Sequence, residues 1–278
     1  MVKLDEIKTW EKLNSPSVNS GKIPALIKEL NIAYSSQILD ELCWECIYHQ
    51  NSLYEVTFAA VPYLIDFCES TNNKGHKLDL FLNLGVILCE LDRNENLLYD
   101  TFKNSKYDKE TIKDIIETFK ISFEKLKSIA TSLFDFIIEK EEIKKRYFLA
   151  SLAVAHKNFK MAKVFSVYSE NEEYICNCPK CNEEFYLWNV EEKLILYTDD
   201  PVFNKNQEEF LIQEKLQENI KSSHIITENN NLEWLTFYIE KFNIFSLKSI
   251  VNYLFGEIDC PKCKSRFEVF DAISQQFT

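Results

Sequence analysis

The chain contains the same tetrapeptide twice, Cys-Pro-Lys-Cys at residues 178–181 and again at residues 260–263. In each copy a phenylalanine follows four residues after the second cysteine, at Phe185 and Phe267. Two Cys-x-x-Cys motifs supply four thiolates, which is the ligand set of a tetrahedral structural zinc site. Because the copies match in residues and phase, they are better explained as halves of one site than as two redox pairs. The predicted ligands of one structural Zn²⁺ are Cys178, Cys181, Cys260 and Cys263.

The 78 residues between Cys181 and Cys260 do not argue against a shared site. Closing a loop of this length costs roughly 4 kcal/mol, whereas a structural zinc contributes about 10–16 kcal/mol. Each motif needs a residue that tolerates positive φ directly after its second cysteine, and Asn182 and Lys264 hold those positions. Cys176 is an alternative ligand, and spacing alone does not separate zinc from iron.

The low content of turn-forming residues predicts a mainly α fold, since the chain has Gly 4 and Pro 6 in 278 residues. One predicted helix starts near Ser35 or Ser36, and apolar residues follow at helical spacing along one face. Those residues are Leu39, Leu42, Cys43, Cys46 and Ile47. Ile23-Pro24 and Val61-Pro62, 38 residues apart, begin similar segments. Prolines in the first turns of two repeated helices would indicate a helical solenoid.

The pattern changes near residue 173, so we predict two domains. Residues 1–172 form a helical-repeat domain, and residues 173–278 form a metal-binding module. Short strands are predicted beside the first motif and at residues 193–197. An acidic, largely helical insertion is predicted at about 190–255, including helical periodicity over 206–221.

The formal net charge is −12, and much of it comes from the region between the motifs. Residues 182–235 contain twelve acidic residues against four lysines, a net of −8. Nucleic-acid binding usually requires a basic surface, so this balance argues against DNA or RNA as the main partner. The first ten residues, MVKLDEIKTW, lack the pattern of a signal peptide. We expect a cytoplasmic protein that does not enter the membrane, with reduced or metal-bound cysteines.

Catalytic signatures are missing from the sequence. We find no HExxH, GxSxG, GxGxxG or P-loop pattern, and four glycines leave little scope for a phosphate-binding loop. The expectation is a non-enzymatic protein.

Residues 39–68 resemble the start of a bacterial HEAT-like helical-repeat family. The resemblance rests on His49-Gln50, Tyr54, the sequence Ala60-Val61-Pro62 and Leu64. Proteins that resemble this family include ones encoded beside polymorphic toxins, so the resemblance implies an immunity protein that binds and neutralises a toxin domain. The cysteine motifs resemble a split zinc ribbon, in which two hairpins share one ion around inserted structure.

The expected partner is a protein, specifically a basic toxin domain, because an acidic surface steers and covers a basic cleft. The predicted partner-binding residues are Glu183, Glu184, Glu191, Glu192, Asp199, Asp200, His49, Gln50 and Tyr54. The last three have a second interpretation, as a hydrogen-bonded helix terminus. Two alternatives stay open for the whole chain. One is a nucleic-acid-associated zinc ribbon using Lys262, Lys264 and Arg266, and the other is a general helical-repeat scaffold.

Overall fold

The computed structural model describes residues 2–16, 19–93, 97–168, 173–203, 208–215 and 230–277. The described part is mainly α-helical, as the low glycine and proline content predicts. The helices are α1 Ile7–Trp10, α2 Ile23–Ile32, α3 Ser36–Asp40, α4 Glu55–Ser70, α5 Lys74–Leu88, α6 Leu97–Thr101, α7 Lys109–Phe123, α8 Leu126–Ile138, α9 Glu142–Ala155, α10 Phe159–Val167, α11 Asn231–Phe242, α12 Phe245–Lys248, α13 Val251–Leu254 and α14 Val269–Ser274. The strands are β1 Tyr48–His49, β2 Ser52–Leu53, β3 Glu173–Asn177, β4 Glu184–Val190, β5 Lys193–Tyr197, β6 Glu209–Leu211, β7 Glu257–Asp259 and β8 Arg266–Glu268.

The chain divides into two compact units. The first unit comprises Met1–Phe136 with Ala150–Ala162, and the second comprises Ile137–Leu149 with Lys163–Thr278. The first unit has an aromatic core in which Phe58 contacts Phe119 edge to face, with ring centroids 5.1 Å apart. The predicted domain boundary after residue 172 stays a prediction.

The predicted helix after Ser35 is present in the first unit. The Ser35 hydroxyl accepts the N–H of Ile38, which caps α3 as the sequence suggests. The helix then widens into a π-helical turn over Glu41–Ile47. The predicted apolar face, including Cys43 and Cys46, is buried.

A tight hairpin follows this helix. Strands β1 and β2 pair through Tyr48↔Leu53 and His49↔Ser52. The two turn residues, Gln50 and Asn51, have φ of 47° and 57°, which matches the right-handed twist of a two-residue hairpin. His49 and Gln50 therefore lie in a β-hairpin, where both are exposed.

The two prolines of the expected repeat lie in different positions, which corrects the prediction that both begin a helix. Pro24 lies in the first turn of α2, but Pro62 lies inside α4. Helix α4 begins seven residues earlier because Thr57 Oγ1 accepts the Tyr54 N–H at 2.9 Å, and the same hydroxyl donates to the Ile47 carbonyl. The 38-residue spacing therefore does not mark equivalent helix starts.

The second unit contains an antiparallel sheet in the order β3-β4-β5-β6 and the separate hairpin β7-β8. Strand β5 has the predicted bounds. The predicted helix over residues 206–221 is wrong where the structure describes it, because residues 209–211 pair with β5. A strand of three residues is too short for its alternation to outweigh the helical periodicity of the longer segment around it. Residues 206–207 and 216–221 of that prediction lie outside the described residues.

The core of the second unit combines aromatic packing with a buried cation. Phe148 and Phe242 meet edge to face, with ring centroids 5.3 Å apart. Arg146 Nη2 donates to the Tyr168 carbonyl at 2.8 Å and to the Tyr174 hydroxyl at 3.3 Å. Burial lowers the pKa of this guanidinium, although the two tyrosine contacts hold it in place.

Among the described helices, none combines the length and apolar character that crossing a bilayer requires.

Candidate metal centre

Two loops of the same design carry the cysteine motifs. The first loop, residues 178–183, joins β3 to β4, and the second, residues 260–265, joins β7 to β8. In the first loop the Cys178 N–H donates to the Glu183 carbonyl at 2.8 Å, and its own carbonyl accepts the Asn182 N–H at 2.9 Å. The second loop repeats both bonds at the equivalent positions with the same lengths. The identical tetrapeptides therefore fold into identical turns.

The residue after each second cysteine is left-handed, as the sequence analysis predicts. Asn182 has φ of 57° and Lys264 has φ of 61°. This conformation turns backbone N–H groups towards the sulfurs. Cys178 accepts the N–H groups of Lys180 and Cys181, and Cys260 accepts the equivalent pair from Lys262 and Cys263.

The phased phenylalanines have a packing role. Phe185 pairs across the first hairpin with Cys176, and Phe267 pairs across the second with Ile258. All four side chains are buried. Cys176 therefore occupies the position that isoleucine occupies in the other hairpin, which is an apolar packing position. Burial, together with smaller effects of the neighbouring Cys178 and Cys260, raises the pKa of the Cys176 thiol to about 12.

The four motif cysteines lie close enough to hold a metal ion, with all sulfur atoms within 4.8 Å of one another. Two separations across the loops are 3.7 Å, from Cys178 Sγ to Cys263 Sγ and from Cys181 Sγ to Cys260 Sγ. Bonds of about 2.3 Å to a tetrahedral ion place sulfurs about 3.8 Å apart. The donor set and its spacing therefore fit a thiolate-bound ion, and Cys176 is not a member of the cluster.

The two loops also shift the pKa values of the cysteine thiols. Burial raises the pKa of Cys178, but the N–H groups of Cys181 and Lys180 and the Ser265 hydroxyl outweigh it, so the pKa falls to about 6. The Ser265 hydroxyl, 2.9 Å from Cys263 Sγ, likewise lowers the pKa of Cys263. The Glu183 N–H lowers the pKa of Cys181, yet burial and the neighbouring sulfurs raise it to about 12. Four thiolates at this separation repel one another, and a bound cation removes that cost.

A backbone bridge connects the chain after β6 to β7, beside the second loop. Gln213 and Glu257 exchange two backbone hydrogen bonds of 2.9 and 3.0 Å. A Cβ atom on Gly256 would lie 2.2 Å from the Gln213 carbonyl oxygen. Glycine is therefore required next to this bridge, because any side chain would push the two segments apart.

The basic residues beside the second loop have acidic partners. Lys262 forms an ion pair with Glu183 of the first loop. Arg266 Nε lies 2.7 Å from a Glu257 carboxylate oxygen, and its guanidinium also contacts the Gln213 side chain. The positive charges proposed for nucleic-acid contact are thus partly balanced within the same unit.

The structure places the predicted acidic residues in four local settings. Glu183 pairs with Lys262. Glu191 and Glu192 form the exposed β4–β5 turn, with φ of 49° and 65°. Glu184 accepts the Tyr186 hydroxyl at 2.8 Å, whereas Asp199 and Asp200 follow β5.

Sequence reasoning missed Ser265 and Glu173. Ser265 lies two residues after Cys263, the position from which Glu183 donates its N–H to Cys181, so motif alignment could have identified it. Glu173 accepts the Trp188 indole N–H at 3.3 Å, and no signal in the sequence predicts this pair. Tyr54, His49 and Gln50 belong to the first unit and take no part in this centre.

Comparison with known proteins gave no match to any family model, curated protein or solved structure.

Proposed function

We propose that the four motif cysteines bind one structural Zn²⁺. The observation that supports this is the cluster itself, four sulfurs within 4.8 Å held by two matching loops. Thiolates are ligands that zinc prefers, and four of them fill a tetrahedral shell. A filled shell leaves no position for water or substrate, so the proposed ion stabilises the fold and performs no chemistry.

The metal assignment has a direct test. Purified protein should contain about one zinc per chain by mass spectrometry of the metal content. A double substitution, Cys178→Ser with Cys260→Ser, should abolish binding, whereas Cys43→Ser with Cys68→Ser should leave the stoichiometry unchanged. Protein that contains well under one zinc and binds none at neutral pH would refute the assignment, and iron in the same shell would revise it.

We further propose that the chain is a non-enzymatic immunity protein built on a HEAT-like solenoid. The resemblance of residues 39–68 supports this fold and role. The internal position of Pro62 and the β1–β2 hairpin depart from a simple repeat of helical pairs. His49, Gln50 and Tyr54 mark the proposed recognition end of the first unit.

The proposed partner is a basic toxin domain, and the negative charge of the second unit supports it. Glu184, Glu191, Glu192 and Asp199 are exposed there. An acidic surface accelerates encounter with a basic partner and competes with the nucleic acid such a partner would bind.

The test combines partner identification with rescue. Tagged protein should retain one stoichiometric partner from a bacterial lysate, and that partner expressed alone should arrest growth. Co-expression with this chain should restore growth. Replacing Glu184, Glu191, Glu192 and Asp199 by their amides should slow association and reduce its salt dependence.

A charge-matched control uses exposed acids of the first unit. These are Glu29, Glu45, Glu110 and Asp135. Their amide variants should associate at the normal rate. If both sets of variants slow association equally, the net charge of the protein determines the association rate, and no surface of the second unit is specifically involved. Recovery of nucleic acid or of many weak partners would replace immunity with one of the two alternative roles.

A further inference from the structure

On strands β3 and β4 the sheet of the second unit has two unlike faces, whereas residues 194–197 of β5 are buried on both faces. Along β4, Phe185 and Leu187 are buried, whereas Tyr186 and Trp188 between them are half exposed. The register places Ile175 opposite Tyr186 and Glu173 opposite Trp188. Residues that alternate along a strand lie on opposite faces. We name the half-exposed side the outer sheet face and define it by Glu173, Ile175, Glu184, Tyr186, Trp188 and Asp200.

The two aromatic side chains on this face donate hydrogen bonds to neighbouring carboxylates. The Trp188 indole N–H donates to Glu173 Oε1 at 3.3 Å, and the Tyr186 hydroxyl donates to Glu184 Oε1 at 2.8 Å. Each bond uses one oxygen of a group that accepts several. The rings and the carboxylates are therefore positioned together on one surface.

The charges on the face are of one sign. Burial raises the pKa of Glu173, and the nearby Asp200 and Glu184 raise it further against the opposing effect of the Trp188 N–H. Within the ranges that the structure describes, Glu173, Glu184 and Asp200 form no ion pair with lysine or arginine. Ionised carboxylates that crowd one another in this way gain from an added cation.

Arginine is the cation that fits both features. Its planar guanidinium stacks on aromatic rings and pairs with carboxylates through two parallel hydrogen bonds, whereas the lysine ammonium does neither as well. A half-exposed aromatic centre with charged residues around it is also the usual anatomy of a protein-binding surface.

We propose that the outer sheet face docks an arginine of a basic protein partner, with the guanidinium against Trp188 and Tyr186 and paired with Glu173 and Asp200. This inference rests on the proposed function, since it assumes a basic protein partner, and it names the surface and the side chain that would be recognised.

The first test uses defined peptides on the full-length, metal-loaded protein. Nona-arginine, nona-lysine and nona-glutamine peptides are titrated at about 150 mM salt, where weak surface attraction is screened, and Trp fluorescence is followed. We expect nona-arginine to bind about tenfold more tightly than nona-lysine and nona-glutamine not to bind. Equal binding of the two basic peptides would overturn the proposal.

Two double variants that each remove two negative charges show where on the protein the peptide binds. Glu173→Gln with Asp200→Asn should weaken nona-arginine binding about tenfold, and Trp188→Leu should weaken it and remove the fluorescence change. Glu29→Gln with Glu45→Gln, which removes two charges from exposed positions of the first unit, should change affinity less than about twofold. Equal losses from both pairs would mean diffuse charge attraction and would refute a defined site.

Separate measurements control for unfolding of the variants and test other ligands of the outer sheet face. Glu173→Gln should preserve or raise the melting temperature of the unbound protein, because it removes a crowded carboxylate, so weaker binding would not reflect unfolding. Sedimentation that shows a dimer lost in Trp188→Leu would assign the face to a second copy. Binding of a single-stranded oligonucleotide at the face would assign it to nucleic acid, and either result overturns the proposal.

The experiment also separates this inference from the proposed function. If the Glu173→Gln, Asp200→Asn variant still neutralises an identified toxin normally, the docking face is wrong and the immunity role stands. If no toxin partner exists but the variant loses nona-arginine binding, the immunity role is wrong and the arginine site stands.

Discussion

The spacing Cys-x-x-Cys occurs in two very different settings in this chain. Cys43 and Cys46 lie in a π-helical turn, where both side chains are buried. Cys178 and Cys181 lie in a hairpin loop with a left-handed residue directly after it. Burial raises the pKa of Cys43, whereas backbone N–H groups and a hydroxyl hold the pKa of Cys178 at about 6.

The difference teaches that backbone conformation, and not spacing, makes a cysteine pair into a metal ligand pair. A helical turn uses its N–H groups within the helix, so none is available to a sulfur. A loop with positive φ turns its N–H groups inward and stabilises thiolates. The helical pair also lacks a second pair beside it, since the described cluster contains only the four hairpin cysteines.

The largest expected contrast is in thiol reactivity after metal removal. With chelator present, iodoacetamide should modify Cys263, which is half-buried and has a lowered pKa, at least about a thousandfold faster than Cys43, because a buried thiol reacts only through rare opening of the fold. Peptide mapping by mass spectrometry gives the rates. With metal bound, Cys181 and Cys263 should be protected. If Cys43 were labelled at a rate similar to that of the hairpin cysteines, the helical pair would be accessible to the reagent, and the proposed difference between the two pairs would be wrong.

Single substitutions should separate the pairs in stability. Cys260→Ser should lower the free energy of unfolding by about 4 kcal/mol or more, since loss of a structural metal is among the most damaging changes. Cys46→Ser should cost only about 1–3 kcal/mol for burying a hydroxyl, with metal content unchanged. Denaturant titration with metal analysis measures both. A Cys46→Ser variant without metal would contradict the assignment.

The backbone bridge between Gln213 and Glu257, beside the second loop, should also contribute to the stability of the fold. Gly256→Ala places a methyl group 2.2 Å from the Gln213 carbonyl, so we expect a loss of about 1–3 kcal/mol from forced backbone movement. Gly75→Ala is the control, because its Cβ would meet only Asn73 Oδ1 at 3.2 Å and helices favour alanine. Thermal unfolding compares the two, and equal melting temperatures would show that the bridge is dispensable.

The smallest effect concerns the left-handed residues. Lys264→Gly should stabilise the protein by about 1 kcal/mol, because lysine is strained at φ of 61° and glycine is not. Asn182→Gly should gain less, since asparagine tolerates this conformation. Lys180→Gly, at a position without positive φ, should destabilise. Melting curves of the metal-loaded proteins test the order, and a gain from Lys180→Gly would contradict it.

Much of the metal centre could be predicted from residues near one another in the chain. The ligands, the positive φ at Asn182 and Lys264 and the strands around the first loop follow from local rules about turns and alternation. Predictions that depended on comparing distant segments were weaker. Pro62 lies inside a helix because Thr57 and the Ile47 carbonyl set an earlier start, and residues 209–211 form a strand because β5 offers them a partner.

The sequence by itself determined the mainly α fold, through its scarcity of glycine and proline, and the four cysteines of the centre, through a repeated motif whose turn chemistry is local. Only the tertiary structure decided that Cys176 packs where Ile258 packs in the other hairpin, that Glu183 faces Lys262, and that Glu173 meets Trp188. These are contacts made across paired strands or between the two loops. Their partners depend on strand register and loop approach, which no local pattern encodes.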